Sequence, residues 1–270
     1  MELIHQGKVR DLYRLDDQRL LIVATDRLSA YDVVFPDPIP GKGIVLTALT
    51  RWWLNRIEAI VPSHGAPDLD AELASLSVSK WPDLADRGMV VECCQVIPYE
   101  CVVRGYAFGS YLKDHPDVAP MTRFETPVFT PSTKASKGHD EPVSFEAMRA
   151  DIGEVADALR ALSLSLFNFA TEVCSRAGIT LVDTKFEFGY GQDGQIKLVD
   201  ECFTPDSSRF ILATDVEQGI YDSFDKQIIR DYVDQIGWDR RPPAPRLPPE
   251  IISKTLERYR SIQQRIMETL

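Results

Sequence analysis

Apolar positions change spacing along this chain, and the changes mark out its elements. Residues 8–14 and 19–25 (Arg19-Leu-Leu-Ile-Val-Ala-Thr25) flank the acidic turn Asp16-Asp17 and predict two neighbouring strands. Val45, Leu49, Trp52, Trp53, Ile57 and Ile60 recur at helical spacing over 45–60, and Pro62 stops that helix. The segment 62–87 is rich in Pro, Asp and Ser and reads as an irregular connection. Met89–Val96 and Glu100–Arg104 are β-branched runs that predict strands. Residues 115–143 hold five prolines, so a long loop is expected there, of the kind that forms lids. The strongest helical stripe runs over 151–177, through Ile152, Val155, Ala156, Leu159, Leu162, Leu166, Phe169 and Val173, with Gly178 as its stop. A helix over 223–236 has Ser223 as candidate N-cap. Pro248-Pro249 opens a last helix whose stripe is Ile252, Leu256, Tyr259, Ile266 and Leu270. Strands come first and mixed elements follow, which points to an α+β fold with two lobes rather than a doubly wound parallel sheet.

Two late runs carry charge on strand spacing. Asp183-Thr-Lys185-Phe-Glu187-Phe-Gly189 and Leu198-Val-Asp200-Glu201 read as strands joined through Gly191-Gln-Asp193-Gly194. A two-residue Asp193-Gly194 turn would set Gln192 opposite Gln195, Phe188 opposite Val199 and Glu187 opposite Asp200. Facing carboxylates repel, and a cation between them removes the repulsion. Period 2 puts Asp183, Lys185 and Glu187 on one face and Thr184, Phe186 and Phe188 on the other. One reading is a divalent-metal and phosphate site. The other is a solvated ladder of alternating charge.

Composition narrows the function classes. The chain has 270 residues and a net charge of −11, from 41 acids against 30 bases, so it lacks the basic footprint of a nucleic-acid binder. No run of apolar residues is long enough for a transmembrane helix, and Met1-Glu-Leu-Ile-His-Gln-Gly-Lys8 is charged where a signal peptide would be apolar. The five cysteines include adjacent Cys93-Cys94 and form no C-x-x-C pair, which fits reduced thiols in a cytoplasmic protein.

Three more runs bear on anion binding. Gly7-Lys8-Val-Arg10 places a glycine and two bases at a strand entry, suited to a phosphate or to a charged edge strand. Thr25-Asp26-Arg27-Leu-Ser29-Ala-Tyr-Asp32 follows an apolar strand, as site loops or capped turns do. In Glu100-Cys-Val-Val-Arg104-Gly105-Tyr-Ala-Phe-Gly109-Ser110, a guanidinium stands near a hydroxyl that can begin a helix; this suits an anion, or else a structural Arg–Glu pair with a Ser cap. Asp206-Ser207-Ser208-Arg209 brings a second arginine close in sequence to the carboxylates of the second run.

Together these runs resemble the phosphoribosylaminoimidazole-succinocarboxamide synthase (SAICAR synthetase) family. The matching blocks are Gly7–Tyr13, Ala24–Asp32, Pro40–Gly43, Pro98–Arg104 with Gly109-Ser110, Leu181–Gly189 and Asp200–Arg209, in the family's order. Phe108 departs from the pattern, which has a smaller residue or Thr before Gly-Ser. The resemblance implies a two-lobed α+β fold with a kinase- and ATP-grasp-like ATP site between antiparallel-sheet lobes. Residues 1–95 would form a β-rich lobe covering the nucleotide, and 96–270 an α+β lobe with the metal and substrate residues. It implies ligation of L-aspartate to 5-amino-1-(5-phospho-D-ribosyl)imidazole-4-carboxylate (CAIR), with ATP as substrate and Mg²⁺ as cofactor, in cytoplasmic purine biosynthesis. Lys8 and Arg10, with Lys185 and Glu187, would meet ATP. Lys185, Glu187 and Asp200 would be catalytic, with Glu187 and Asp200 on the metal. Arg104, Ser110 and Arg209 would hold the ribonucleotide phosphate, and Asp32 and Lys42 would lie on the substrate side. Partners are small molecules, with neither nucleic acid nor membrane. A phosphotransferase on the same ATP scaffold, or a nucleotide-binding regulator without turnover, are the alternatives.

Overall fold

A computed structural model describes residues 1–65, 71–76, 81–134 and 141–269. Its strands are β1 (Glu2–Gln6), β2 (Arg10–Arg14), β3 (Arg19–Ala24), β4 (Ser29–Ala30), β5 (Val33–Val34), β6 (Gly88–Glu92), β7 (Gln95–Val96), β8 (Tyr99–Tyr106), β9 (Arg123–Phe129), β10 (Ser132–Thr133), β11 (Ile179–Tyr190), β12 (Ile196–Val199) and β13 (Ser208–Leu212). Its α-helices are α1 (Lys42–Ile57), α2 (Leu84–Arg87), α3 (Tyr111–Asp114), α4 (Phe145–Ile152), α5 (Val155–Arg176), α6 (Ala213–Glu217), α7 (Gln227–Gln235) and α8 (Pro249–Met267).

Antiparallel pairing builds two main sheets, as an α+β fold requires. The first has the order β1-β2-β3-β6, and the second is seven-stranded around β8 and β11. One face of the first sheet buries Tyr13, Leu21, Val23 and Val90 against Leu73 and Leu84. The largest core joins the second sheet, through Phe186 and Phe188, to α1, α5 and α8, through Trp53, Leu166 and Tyr259. Residues 1–95 thus supply the whole first sheet, and through α1 they also enter the core of the second.

Several elements differ from the expected pattern. The long stripe over 151–177 is two helices, because Gly153 turns at φ +67° between α4 and α5. Ser223 lies outside α7 and donates to the Phe210 carbonyl (3.2 Å), while Asp225 accepts the N–H of Gln227 at the helix start. The proline-rich segment 115–143 is not one loop: β9 and β10 both pair with β8, and only the stretch 135–140 lies outside the described residues. The connection 62–87 includes a 3₁₀ turn at Ala71–Ser75 and the short α2, with 66–70 and 77–80 also outside the described residues. The last helix ends at Met267, short of Leu270, which is outside them too.

The charged hairpin also has a different register. Glu187 lies opposite Val199 and Phe188 opposite Leu198, one residue from the expected pairing. The loop has three residues, Gln192 to Gly194, closed by the Gly191 N–H on the Gln195 carbonyl (2.9 Å). Gly194 takes φ +75°, the left-handed residue that three-residue hairpins need. Asp200 therefore falls just beyond the β11–β12 ladder, itself at φ +66°.

A bulge sets the working face of β11. Its pairing with β13 shifts between Leu181 and Asp183. Before the shift Ile179 and Leu181 face the large core, whereas after it Phe186 and Phe188 do. The inserted residue thus flips the alternation, which turns Asp183, Lys185 and Glu187 outward together.

Candidate active site

Two adjoining cavities open along that outward face. The larger, of about 460 Å³, lies between the sheets. The smaller, of about 180 Å³, lies over β8, β11 and β13. Lys185 and Asp206 line both.

The larger cavity has an apolar wall and a charged floor. Leu12, Leu20, Ile22 and Val91 come from the second face of the first sheet, and Val199 closes the opposite side. Lys8, Arg10, Asp32, Lys185, Glu187 and Asp200, all predicted from sequence, line it as well. Lys8 pairs with Asp32 near the mouth. The Arg10 guanidinium sits between Asp200 and Glu201. Burial opposes its charge, but Asp200 and Glu201 outweigh burial and raise its pKa. Burial and then Asp200 raise the pKa of Glu187, while Lys134 pairs with it. Burial also works against the charge of Lys185; Glu100 and then Glu187 overcome this and raise its pKa. Two mutually repelling carboxylates facing a cleft form a donor set that Mg²⁺ accepts alongside phosphate oxygens, so the residues fit that ion.

The smaller cavity is lined by Arg104, Lys185, Arg209 and Arg230 against Asp183, Asp206 and Asp225, a set with more cations than carboxylates that suits an anion. Asp183 on β11 stands between Arg104 on β8 and Arg209 on β13 in the strand registers. Its carboxylate accepts from Arg104 Nη1 (3.1 Å) and Arg209 Nη1 (2.5 Å). Arg104 also donates to Thr130 Oγ1 (2.9 Å) and Ser110 Oγ (3.1 Å). Ser110 stands at the start of α3 without capping it through its side chain. Gly109 takes φ +61°, and a Cβ there would lie 2.5 Å from Arg209 Nη1, so only glycine lets the guanidinium rest on this loop. Phe108, the residue unlike the family pattern, places its ring 5.5 Å from the Arg209 guanidinium carbon. Arg230 and Asp225 complete the far wall, paired at 2.6 Å.

Lys42 lies elsewhere than its sequence position implied. It is fully buried and lines neither cavity; its Nζ is 3.1 Å from Asp206. Asp206 also takes Lys226 Nζ (3.1 Å) and the Tyr259 hydroxyl (2.7 Å). Burial opposes the Asp206 charge, but Lys226 and Lys42 overcome it and hold the carboxyl far below its usual range. Sequence reasoning did not mark Lys134, Lys226, Arg230 or His64, because each stands outside the motif runs and only the fold brings it to the site.

A family model described as SAICAR synthetase matches residues 3–245. The chain belongs to the SAICAR synthetase family. It is 44% identical to the phosphoribosylaminoimidazole-succinocarboxamide synthase of Halorhodospira halophila, covering 98% of this chain and 94% of that one. Identity to the same-named protein of Thioalkalivibrio sulfidiphilus is 43%, with 98% and 95% covered. The SAICAR synthase of Saccharomyces cerevisiae complexed with SAICAR superimposes with a TM-score of 0.85 at 33% identity, covering 99% and 95%. A Type-2 SAICAR synthetase in complex with ADP shares the fold, with a TM-score of 0.74 at 24% identity over 97% and 96%. The activity of this family member is ATP-dependent ligation of CAIR and L-aspartate in purine biosynthesis, rather than simple phosphotransfer. No helix among the described residues is long and apolar enough to cross a membrane.

Proposed function

We propose that the larger cavity takes ATP and the smaller takes CAIR, with Lys185 at their junction. The observation that carries this reading is the sharing of Lys185 and Asp206 by two cavities of different character. An apolar slot suits a purine base, and a cluster of arginines suits a sugar phosphate. The first sheet, from residues 1–95, covers the nucleotide; the later residues supply the metal and ribonucleotide groups. Lys8 and Arg10 face the ATP phosphates. Arg104, Ser110 and Arg209 hold the ribonucleotide phosphate, with Asp183 fixing both guanidinium planes. Asp32 lines the larger cavity beside Lys8 rather than the ribonucleotide cavity for which the resemblance marked it, and Lys42 acts through Asp206.

Glu187 and Asp200 would hold Mg²⁺, which neutralises phosphate charge and orients the transferring group. The imidazole carboxylate is a poor electrophile. Its oxygen attacks the γ-phosphorus, the bond to the β-phosphate oxygen breaks, and ADP leaves with an acyl phosphate formed. The aspartate amine then attacks the acyl carbon; phosphate leaves, the amide forms and the amine loses a proton. Lys185 stays a cation between the cavities and offsets charge as the phosphoryl group passes. Such an enzyme works on small molecules in a reducing cytoplasm, in keeping with its five free cysteines.

A coupled assay of ADP release tests this reading, with each substrate omitted in turn. Sustained ADP formation is expected only with both CAIR and L-aspartate. Turnover without aspartate, yielding a stable phosphorylated product, would overturn it.

A further inference from the structure

Asp200 is held by a residue that belongs to none of the sequence motifs. The Asp200 N–H donates to Nε2 of His64 at 3.1 Å. His64 is 5% exposed and lines the larger cavity. Its main chain is pinned from both sides of the cleft. The Leu198 N–H donates to the Pro62 carbonyl (2.9 Å), and the His64 N–H donates back to the Leu198 carbonyl (3.0 Å). The Glu92 N–H, at the end of β6, donates to the His64 carbonyl (2.8 Å). A short parallel bridge between Ser63 and Leu198 completes the splice. The imidazole is therefore anchored to the last strand of the first sheet and to β12 of the second.

That anchoring answers a local need. β12 ends at Val199, so the Asp200 N–H has no place in the β11–β12 ladder. Asp200 also takes φ +66°, which a non-glycine residue keeps only when its surroundings impose it. We infer that His64 is a positioning residue whose Nε2, by accepting the Asp200 N–H, holds Asp200 in its left-handed conformation and sets its carboxylate beside Glu187 for the divalent cation. An apolar side chain of the same bulk would fill the space but leave the N–H unpaired and the backbone free to relax. A partner behind a metal ligand acts in this way on metal affinity without touching the ion. The inference rests on the assignment of Asp200 to the metal proposed above.

The test uses Mn²⁺ as the probe cation, with its free concentration read from the electron paramagnetic resonance of the ADP-bound full chain. His64→Leu keeps the bulk and removes the acceptor; His64→Gln restores an acceptor. Leu is expected to weaken Mn²⁺ binding about tenfold, while metal-free ADP affinity stays within about twofold and Gln recovers most of the loss. A lowered melting temperature with unchanged Mn²⁺ affinity would mean a packing role only and overturn the inference. Asp200→Asn separates the two levels. If it loses Mn²⁺ and His64→Leu does not, the His64 role alone fails; if it retains Mn²⁺, the metal assignment fails with it. Should the Leu variant not fold, hydrogen exchange at the Asp200 amide of the wild-type protein decides: protection supports the inference, and exchange at the unprotected rate overturns it.

Discussion

Asp183 keeps two guanidinium groups close together, so its charge orients Arg104 and Arg209 while leaving net positive charge for a ligand. Arg104→Ala is therefore expected to raise KM for CAIR on the order of 10- to 100-fold, the worth of charged hydrogen bonds, with KM for ATP nearly unchanged. Initial rates at varied concentrations of each substrate would check this, and an equal loss for both would move Arg104 out of the ribonucleotide pocket. Asp206 gives a pH dependence with a definite sign. Its folded pKa is depressed, so its stabilising effect is complete above the ordinary carboxylate range and fades as pH falls through and below that range. Asp206→Asn leaves Lys42 and Lys226 without their buried counter-charge and is expected to cost about 3–5 kcal/mol at neutral pH. Urea unfolding at pH 7 and at pH 3 would show the difference from the parent shrinking in acid.

The decisive element is β11, twelve residues long and paired along both edges. Its alternation of charged and aromatic residues from 183 to 188 is visible in the sequence, and the structure keeps that split: Phe186 and Phe188 are fully buried. The bulge before Asp183 is invisible there, because one inserted residue depends on the register of β13, a strand about 30 positions away. The hairpin register differs by one residue from the one an Asp-Gly turn predicts, for a similar reason. Asp-Gly suits a two-residue turn, but Gly194 serves here as the left-handed residue of a longer loop. Phe186→Ala should cost about 3–5 kcal/mol, because a cavity would open where Phe186 meets Phe188 and Phe203. Chemical denaturation would measure it, and a loss below about 1 kcal/mol would show that the core closes over the gap.

At the scale of the molecule, the proposed function depends on placing two anion-binding cavities side by side across the cleft. With ATP and CAIR bound as proposed, Lys185 is the cation common to both cavities and screens their phosphates from each other. Lys185→Met is expected to make the two ligands antagonistic. Each should weaken the other about fivefold or more, reciprocally by linkage, in calorimetric titrations with a non-hydrolysable ATP analogue. Independent binding in the variant would remove Lys185 from the junction. By itself the sequence determined the α+β class, the carboxylate–lysine face of β11 and the charged motif runs proposed to meet anions, because period and residue chemistry are local properties. Only the tertiary structure decided that Asp183 bridges two arginines, that Lys42 is buried beneath Asp206, and that His64 reaches Asp200. Those contacts join residues from about 25 to over 150 positions apart, and the pairing of distant segments is set by how whole sheets and helices pack, which no local spacing encodes.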